Sequence, residues 1–404
     1  MNTAAQSAPP VAPPWVGAEG LLPRIAEIAG LPKRRNGGSG FLPAAPAATT
    51  RVRYVENKCI DWERVREIAA LSERAGQWAN FGPVSTALER SLEFILNLPN
   101  DRAVIMCASA TVGLQALAGL EAAKRGRSLR WAVSAYTFFS QRVGTYAGAM
   151  VVDSDDHGLV DLDAIAASPD ETWDGLVVTN LFAGLPSARA FADFCCARDK
   201  AIIVDSAAAL FGPDRTWAGH PNETISFHQT KPWGVGEGGC IIVDRPDATL
   251  ARSIINFGVG APLAAQPFAG NGKISDVAAA VILERLERLP SWAARYDAQR
   301  RRIESLCSEI GVPLLLQAPR EALLASVPAL SAQPIKQEDF RSIEFDLGKY
   351  YPPLDDSCRT ARGIFERIIN IPSHCGMSAV ETRALVRVLE RLLPDASMQE
   401  VERS

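Results

Sequence analysis

Apolar residues along this chain recur at two different spacings, and the order in which those spacings alternate predicts an architecture. From Asp61, a candidate N-cap, WERVREIAALSERA carries helical spacing to a stop at Gly76. After NFGP (80–83) a second amphipathic stretch, VSTALERSLEFIL, follows. Short apolar runs then appear, AVIMCAS (103–109), WAVSAYTFF (131–139), AIIV (201–204) and CIIVD (240–244), with helix-like segments such as VGLQALAGLEAAKR among them. Alternation of this kind to about residue 244 predicts a mostly parallel sheet with helices on both faces. From about residue 251 the pattern changes to long helices, including SDVAAAVILERLERL (275–289), with short strands and a final helix from Ser378. The expected organisation is a large domain over 51–250 and a smaller one over 251–404. Residues 1–50 are rich in Ala and Pro and read as a mobile arm, and the RRR run at 300–302 reads as a solvated helix face.

Composition narrows the class. A chain of 404 residues exceeds the usual size of one core, and a net charge of −4 argues against nucleic acid as a partner. No apolar run approaches the ~20 residues needed to cross a bilayer, and the N-terminus lacks a basic region followed by an apolar core. The expectation is a soluble, cytoplasmic protein with no membrane partner. The eight cysteines form no C-x-x-C pair and no metal-ligand spacing with the four histidines, so reduced thiols and no metal are expected.

Candidate chemistry gathers at the ends of the apolar runs. Asp205 follows AIIV, so its carboxylate should emerge at the C-terminal end of a buried strand, where open α/β sheets bind ligands. Ser226 ends another short β-like run and lies five positions before Lys231 in SFHQTK. A carboxylate, a hydroxyl and an amine in this order suit pyridoxal phosphate: the aldehyde takes up a lysine amine, the ring nitrogen needs an anion, and the phosphate needs donors. The plainer reading of Asp205 is a helix cap. GVGEGG (234–239) runs into a strand where a dinucleotide fingerprint requires a helix, so it reads as a flexible hairpin approach. Upstream, SAT (109–111) joins a strand to a helix N-terminus, an anion site to which Thr111 adds a hydroxyl, unless it merely caps the helix. Phe138 could lie flat on a pyridine ring, although taken alone an aromatic there reads as core. His228, inside the lysine motif, reads as a packing or hydrogen-bonding residue.

These motifs together resemble the DegT/StrS-type sugar aminotransferases over roughly residues 50–394. NFGPVSTALE, with Glu89, SATVGL, YTFFSQ, TNLFAG, DSAAALFG, SFHQTK with its GEGG tail, AGNGKISDVAAAVILERLERL and INIPSHCGMS each resemble a family segment in family order. The resemblance implies the PLP-dependent transferase fold type I, an α/β fold with a mostly parallel seven-stranded sheet in the large domain and a smaller α+β C-terminal domain. It implies that Lys231 is the Schiff-base lysine and acid–base group, that Asp205 partners the ring nitrogen, and that Phe138 is the aromatic shelf. Ala110, Thr111 and Ser226 would bind the phosphate, with Asn271 reaching it from the neighbouring subunit of a homodimer. Two departures bear on substrate. Ala208 stands where Gln or His is usual near the ring hydroxyl, with Asn180, in place of the usual His, as the substitute donor. Lys273 stands where Arg is common, turning a bidentate grip into a point charge.

The leading functional expectation is amino transfer from a donor, expected to be L-glutamate, to a keto group of a nucleotide-linked deoxysugar in two half-reactions. Ala208 and Lys273 motivate an alternative acceptor, a non-nucleotide ketone such as a keto-cyclitol or secondary-metabolite precursor. A non-catalytic sensor or assembly partner is the third reading, disfavoured by the intact lysine and aspartate.

Overall fold

The structure is a computed structural model that describes residues 26–28, 30–31, 51–185, 187–340 and 344–393. The mobile arm expected over 1–50 therefore lies, apart from five residues, outside the described residues. Nine strands are described: β1 (Arg102–Cys107), β2 (Trp131–Ser134), β3 (Met150–Val152), β4 (Gly175–Thr179), β5 (Ala201–Asp205), β6 (Asn222–Ser226), β7 (Gly239–Asp244), β8 (Ser326–Leu330) and β9 (Ile368–Pro372). The first seven form one sheet in the order β1-β7-β6-β5-β4-β2-β3. All neighbours are parallel except β7, which runs antiparallel to both β1 and β6. The mostly parallel seven-stranded sheet is thus borne out.

Both faces are covered, and the two-residue period of the strands shows how. Val104 and Met106 of β1, with Ile242 of β7, join a core containing Leu88, Leu92, Ile282 and Leu286 from helices on one side. Their neighbours Ile105, Cys107, Ile241 and Val243 turn the other way, against Leu114 and Leu117 of the Ala110–Arg125 helix and Ile254. Gly113 lets that helix sit close to the sheet, because a Cβ there would collide with Thr224 and Ile241.

The first helix spans Trp62–Ala75, with Asp61 accepting from the Arg64 N–H and Gly76 closing it at φ 62°. Asp276, fully buried, accepts from the N–H groups of Val84 (2.9 Å) and Ser85 (3.0 Å) and from the Ser72 hydroxyl (2.6 Å). A single carboxylate therefore caps the Pro83–Ile95 helix and ties it to two others. Gly82 is required beside it, since a Cβ would meet the Asp276 carboxylate. Residues 274–296 share the core of that face, whereas residues between 303 and 392 build a separate core with the antiparallel pair β8–β9.

One expectation is corrected. Arg300–Arg302 do not form a solvated face: Arg300 is 4% exposed, pairs with Asp297 at 3.0 Å and donates to the carbonyls of Pro319 and Arg320. Arg302 donates to the carbonyls of Met377 and Val380, and only Arg301 is exposed. Three consecutive helical residues point about 100° apart, so a helix packed on more than one side cannot leave all three in water. All eight cysteines are unpaired thiols.

Candidate active site

Parallel pairing carries the C-terminal ends of β1, β2, β4, β5 and β6 to one edge of the sheet, where a cavity of about 460 Å³ opens. Thr179, Asp205 and Ser226, the last residues of β4, β5 and β6, all line it. So do Ser109, Ala110 and Thr111 at the helix entry after β1, Phe138 after β2, Asn180, Ala208 and Lys231. Eight of the residues picked out from sequence, Ala110, Thr111, Phe138, Asn180, Asp205, Ala208, Ser226 and Lys231, thus meet in one space.

Asp205 sits 3% exposed on the cavity wall. Its Oδ2 accepts from Gln141 Nε2 at 3.0 Å and its Oδ1 from the Ala207 N–H at 3.0 Å. No helix follows it, so the cap reading reduces to that one turn contact. Burial pushes its carboxyl up from the ordinary value, opposed by the Gln141 and Ala207 hydrogen bonds and by the charge of Lys231. Burial likewise pushes the Lys231 ammonium down, with Asp205 opposing. Each group weakens the desolvation penalty of the other, and the amine is brought nearer to the neutral form a nucleophile needs.

The Lys231 turn is held from several sides. Phe227 and Gln229 donate to the carbonyls of Gly238 and Gly236 (2.8 Å each), closing the hairpin expected at GVGEGG. Trp233, fully buried, donates its indole N–H to the Ser226 carbonyl at 2.7 Å. Gly234 donates to the Lys231 carbonyl at 3.0 Å, and a Cβ there would collide with the carbonyls of Phe227 and His228. Gly239 allows β7 to pass the helix entry, where a Cβ would strike Ser109 and Ala110. His228 makes hydrogen-bonding contacts with Thr230, Nδ1 lying 2.9 Å from Thr230 Oγ1, and its Nε2 stands 3.5 Å from the Glu237 carboxylate.

The anion end is the start of the Ala110–Arg125 helix, whose first N–H groups have no partner within the helix. Its cap is Ser109, which accepts from the Val112 N–H at 3.3 Å, so Thr111 has no capping task and lines the cavity instead. Asn180 is 1% exposed; its Oδ1 accepts from the Leu185 N–H at 3.0 Å, and its Nδ2 is buried without a partner. Such an orphan donor on a cavity wall suits a ligand oxygen.

Sequence reasoning missed several residues. Gln141 joins Asp205 to Thr179, donating to Thr179 Oγ1 at 2.8 Å. An aromatic wall also closes the cavity: Phe182 stacks on Tyr351 (centroids 5.6 Å apart, 15° between planes), and Phe138 meets Tyr351 edge-on at 6.0 Å. Tyr54 and Tyr350 lie 5.4 Å apart beside them. Phe138 is 57% exposed and so is not core. Asn271 is exposed, bridges to Asn256, and is not among the residues lining this chain's cavity. Lys273 donates to Asn256 Oδ1 at 2.6 Å and lies over the Phe257 ring.

Helices on both faces of this sheet, with a lysine hairpin and an aspartate at the strand ends, define the fold type I of PLP-dependent transferases. A sequence profile of the DegT/DnrJ/EryC1/StrS aminotransferase family matches residues 58–390, and the chain belongs to that family. Protein Rv3402c of Mycobacterium tuberculosis is 32% identical over 136 residues, a match spanning about a third of either chain (32% of each). Among solved structures, DesI, determined in the presence of its TDP-sugar product, superposes with a TM-score of 0.69 at 21% identity, covering 90% of this chain and 97% of its own. A DegT/DnrJ/EryC1/StrS aminotransferase from Brucella abortus gives 0.66 at 21% identity, covering 81% and 95%. NtdA from Bacillus subtilis, with bound cofactor PMP, gives 0.66 at 15%, covering 90% and 88%. Likeness at these identities is a likeness of fold. No described helix is long and apolar enough to cross a membrane.

Proposed function

We propose that the chain is a pyridoxal-phosphate-dependent aminotransferase that moves an amino group from an amino acid, L-glutamate, to a keto group of a nucleotide-linked deoxysugar. One observation carries this reading: a buried lysine and a buried aspartate share a cavity that also holds a helix entry, the Thr111 and Ser226 hydroxyls and an orphan amide donor. The residues present fit the cofactor. Ala110, Thr111 and Ser226 would hold its phosphate, Asp205 its ring nitrogen, Phe138 one face of the ring, and Asn180 Nδ2 the ring hydroxyl that Ala208 cannot reach with a hydrogen bond. When bound, the cofactor supplies an aldehyde that carries the amino group and a ring that withdraws electrons from the substrate Cα.

The chain's own residues do the rest. Lys231, with its ammonium depressed by burial, offers an amine that would hold the cofactor's aldehyde and, once displaced by the substrate amine, would take the proton from the donor Cα and, in the second half-reaction, deliver a proton to the former keto carbon of the acceptor. Asp205 keeps a negative charge at the far wall, held in place by Gln141. The aromatic wall of Phe182, Tyr350 and Tyr351 excludes water from the acceptor side. We infer further that the enzyme acts as a homodimer in which Asn271 serves the partner's phosphate site.

The nucleotide-sugar acceptor rests on family membership and on the TDP-sugar product of DesI. The lining itself favours a second reading, a non-nucleotide ketone: among the described lining residues Lys231 is the only Lys or Arg, and five aromatic rings surround it. Two experiments decide. Borohydride reduction of the freshly purified protein should fix the cofactor on Lys231, as read by peptide mapping, and Lys231→Ala should abolish turnover; retained turnover in that variant sinks the proposal. A panel of nucleotide-linked keto-sugars and free ketones, with glutamate as donor, then separates the two acceptor classes.

A further inference from the structure

Beside the lysine turn lies a set of buried and half-buried polar groups that does not line the cavity and has no part in the chemistry above. Lys58, upstream of the first helix, donates its Nζ to the carbonyls of Gln229 and Lys231, the latter at 2.8 Å. Arg285, on the Asp276–Glu287 helix, donates to the Pro232 carbonyl through Nε (3.2 Å) and Nη2 (2.8 Å). The carbonyls of Lys231 and of the residue after it are therefore both gripped by cations. Glu56 pairs with Arg285: its carboxylate accepts from Arg285 Nη2 (2.8 Å), the Tyr296 hydroxyl (2.9 Å) and the Cys375 thiol (2.9 Å).

We propose that Lys58 is a positioning residue, which with Arg285 clamps the peptide planes of the lysine turn and so fixes the pose from which the Lys231 side chain enters the cavity. Fixing two successive carbonyls leaves the Lys231 backbone little freedom, and a misplaced amine costs rate steeply in any reaction that needs it in line. Charge-assisted bonds to backbone carbonyls are among the stronger hydrogen bonds. The clamp also carries its own titration. Burial, and then repulsion by Arg285, push the Lys58 ammonium down to about 7, against the pull of Glu56 and Cys375; Lys231 also repels it, and Lys58 in turn acts on His374. Below that pH the grip is cationic, and above it the grip is a neutral amine.

The inference rests on the reading of Lys231 as the reactive amine, and its test separates the two. In apoprotein, the pH profile of Lys231 acetylation by acetic anhydride, followed by mass spectrometry, needs no cofactor. In holoenzyme, the donor half-reaction gives a rate. Lys58→Met should shift the acetylation profile of Lys231 and lower the half-reaction kcat by about 10- to 100-fold, with donor KM changed by less than about 3-fold. Lys58→Arg should recover most of the rate and, because guanidinium stays charged, lose the inflection near pH 7. An acetylation profile and rate in Lys58→Met that match the wild type overturn the proposal. So does a rate loss with an unchanged profile, the mark of a merely structural role. Should Lys58→Met not fold, an inflection near pH 7 that survives in Lys58→Arg is the overturning result.

Discussion

Gln141→Leu tests whether the buried aspartate is held by a specific donor. Gln141 Nε2 lies 3.0 Å from Asp205 Oδ2 and 2.8 Å from Thr179 Oγ1, and the whole residue is buried. Leucine is close in size, so the dominant loss is polar. A hydrogen bond to a charged acceptor contributes roughly 1.5–3 kcal/mol and the Thr179 contact about 1 kcal/mol, giving about 2–4 kcal/mol in all. In a chain of this length 1 kcal/mol moves the melting temperature by a little over ~1 °C, so the apoprotein should lose roughly 2–5 °C at neutral pH. The sign of the pH dependence follows from linkage. Asp205 is already raised by burial, and Gln141 lowers it, so removing Gln141 raises it further. A group raised in the folded state destabilises the fold once pH climbs through its folded pKa, and a protonated carboxyl has less need of an amide donor. The cost of Gln141→Leu should therefore shrink as pH falls below the folded pKa of Asp205. In an Asp205→Asn background it should fall to about 2 kcal/mol at every pH, about 1 kcal/mol for each of two neutral hydrogen bonds. Melting curves of the four proteins of this cycle between pH 4 and pH 8 give the answer. Equal costs in both backgrounds, or a cost that ignores pH, would falsify the charge-assisted bond.

Two further outcomes are expected. Asn180→Asp keeps the acceptor for the Leu185 N–H but replaces the orphan Nδ2 donor with a carboxylate oxygen, so cofactor affinity should drop about 10- to 100-fold, as measured by spectrophotometric titration of apoprotein, and burial of the new carboxyl should also lower the melting temperature of the apoprotein. Gly234→Ala should distort the lysine turn, because the new Cβ meets the carbonyls of Phe227 and His228; the checks are a lower melting temperature and a Lys231 that borohydride no longer fixes to cofactor.

The legible part of this molecule is the part in which neighbours in sequence are also neighbours in the site. Apolar runs ending in Asp205 and Ser226 announce buried strands, and since parallel strands share a direction, their terminal polar residues must meet at one edge. The glycines of GVGEGG disclose a hairpin, because β7 has to pass within collision distance of Ser109 and Ala110. Thr111 was legible as a residue of the helix entry, and it lines the cavity, while the cap is the serine two positions earlier.

What escaped the sequence depends on partners separated by long stretches of chain. Gln141 is one amide in an aromatic loop, and nothing local says that it reaches an aspartate 64 positions on. Lys58 meets Lys231 from 173 positions away, and Tyr350 and Tyr351 line the cavity from the C-terminal part of the chain. These late arrivals share a physical reason for being there. A site that buries a carboxylate and an ammonium loses their hydration, and the lost partners have to be replaced. Replacement donors and acceptors must therefore come from outside the motif: Gln141 for Asp205, and Lys58 with Arg285 for the carbonyls that flank the lysine. Such a support layer leaves its mark in distances between strangers, so a motif can specify the chemistry of this cavity without specifying how firmly that chemistry is held.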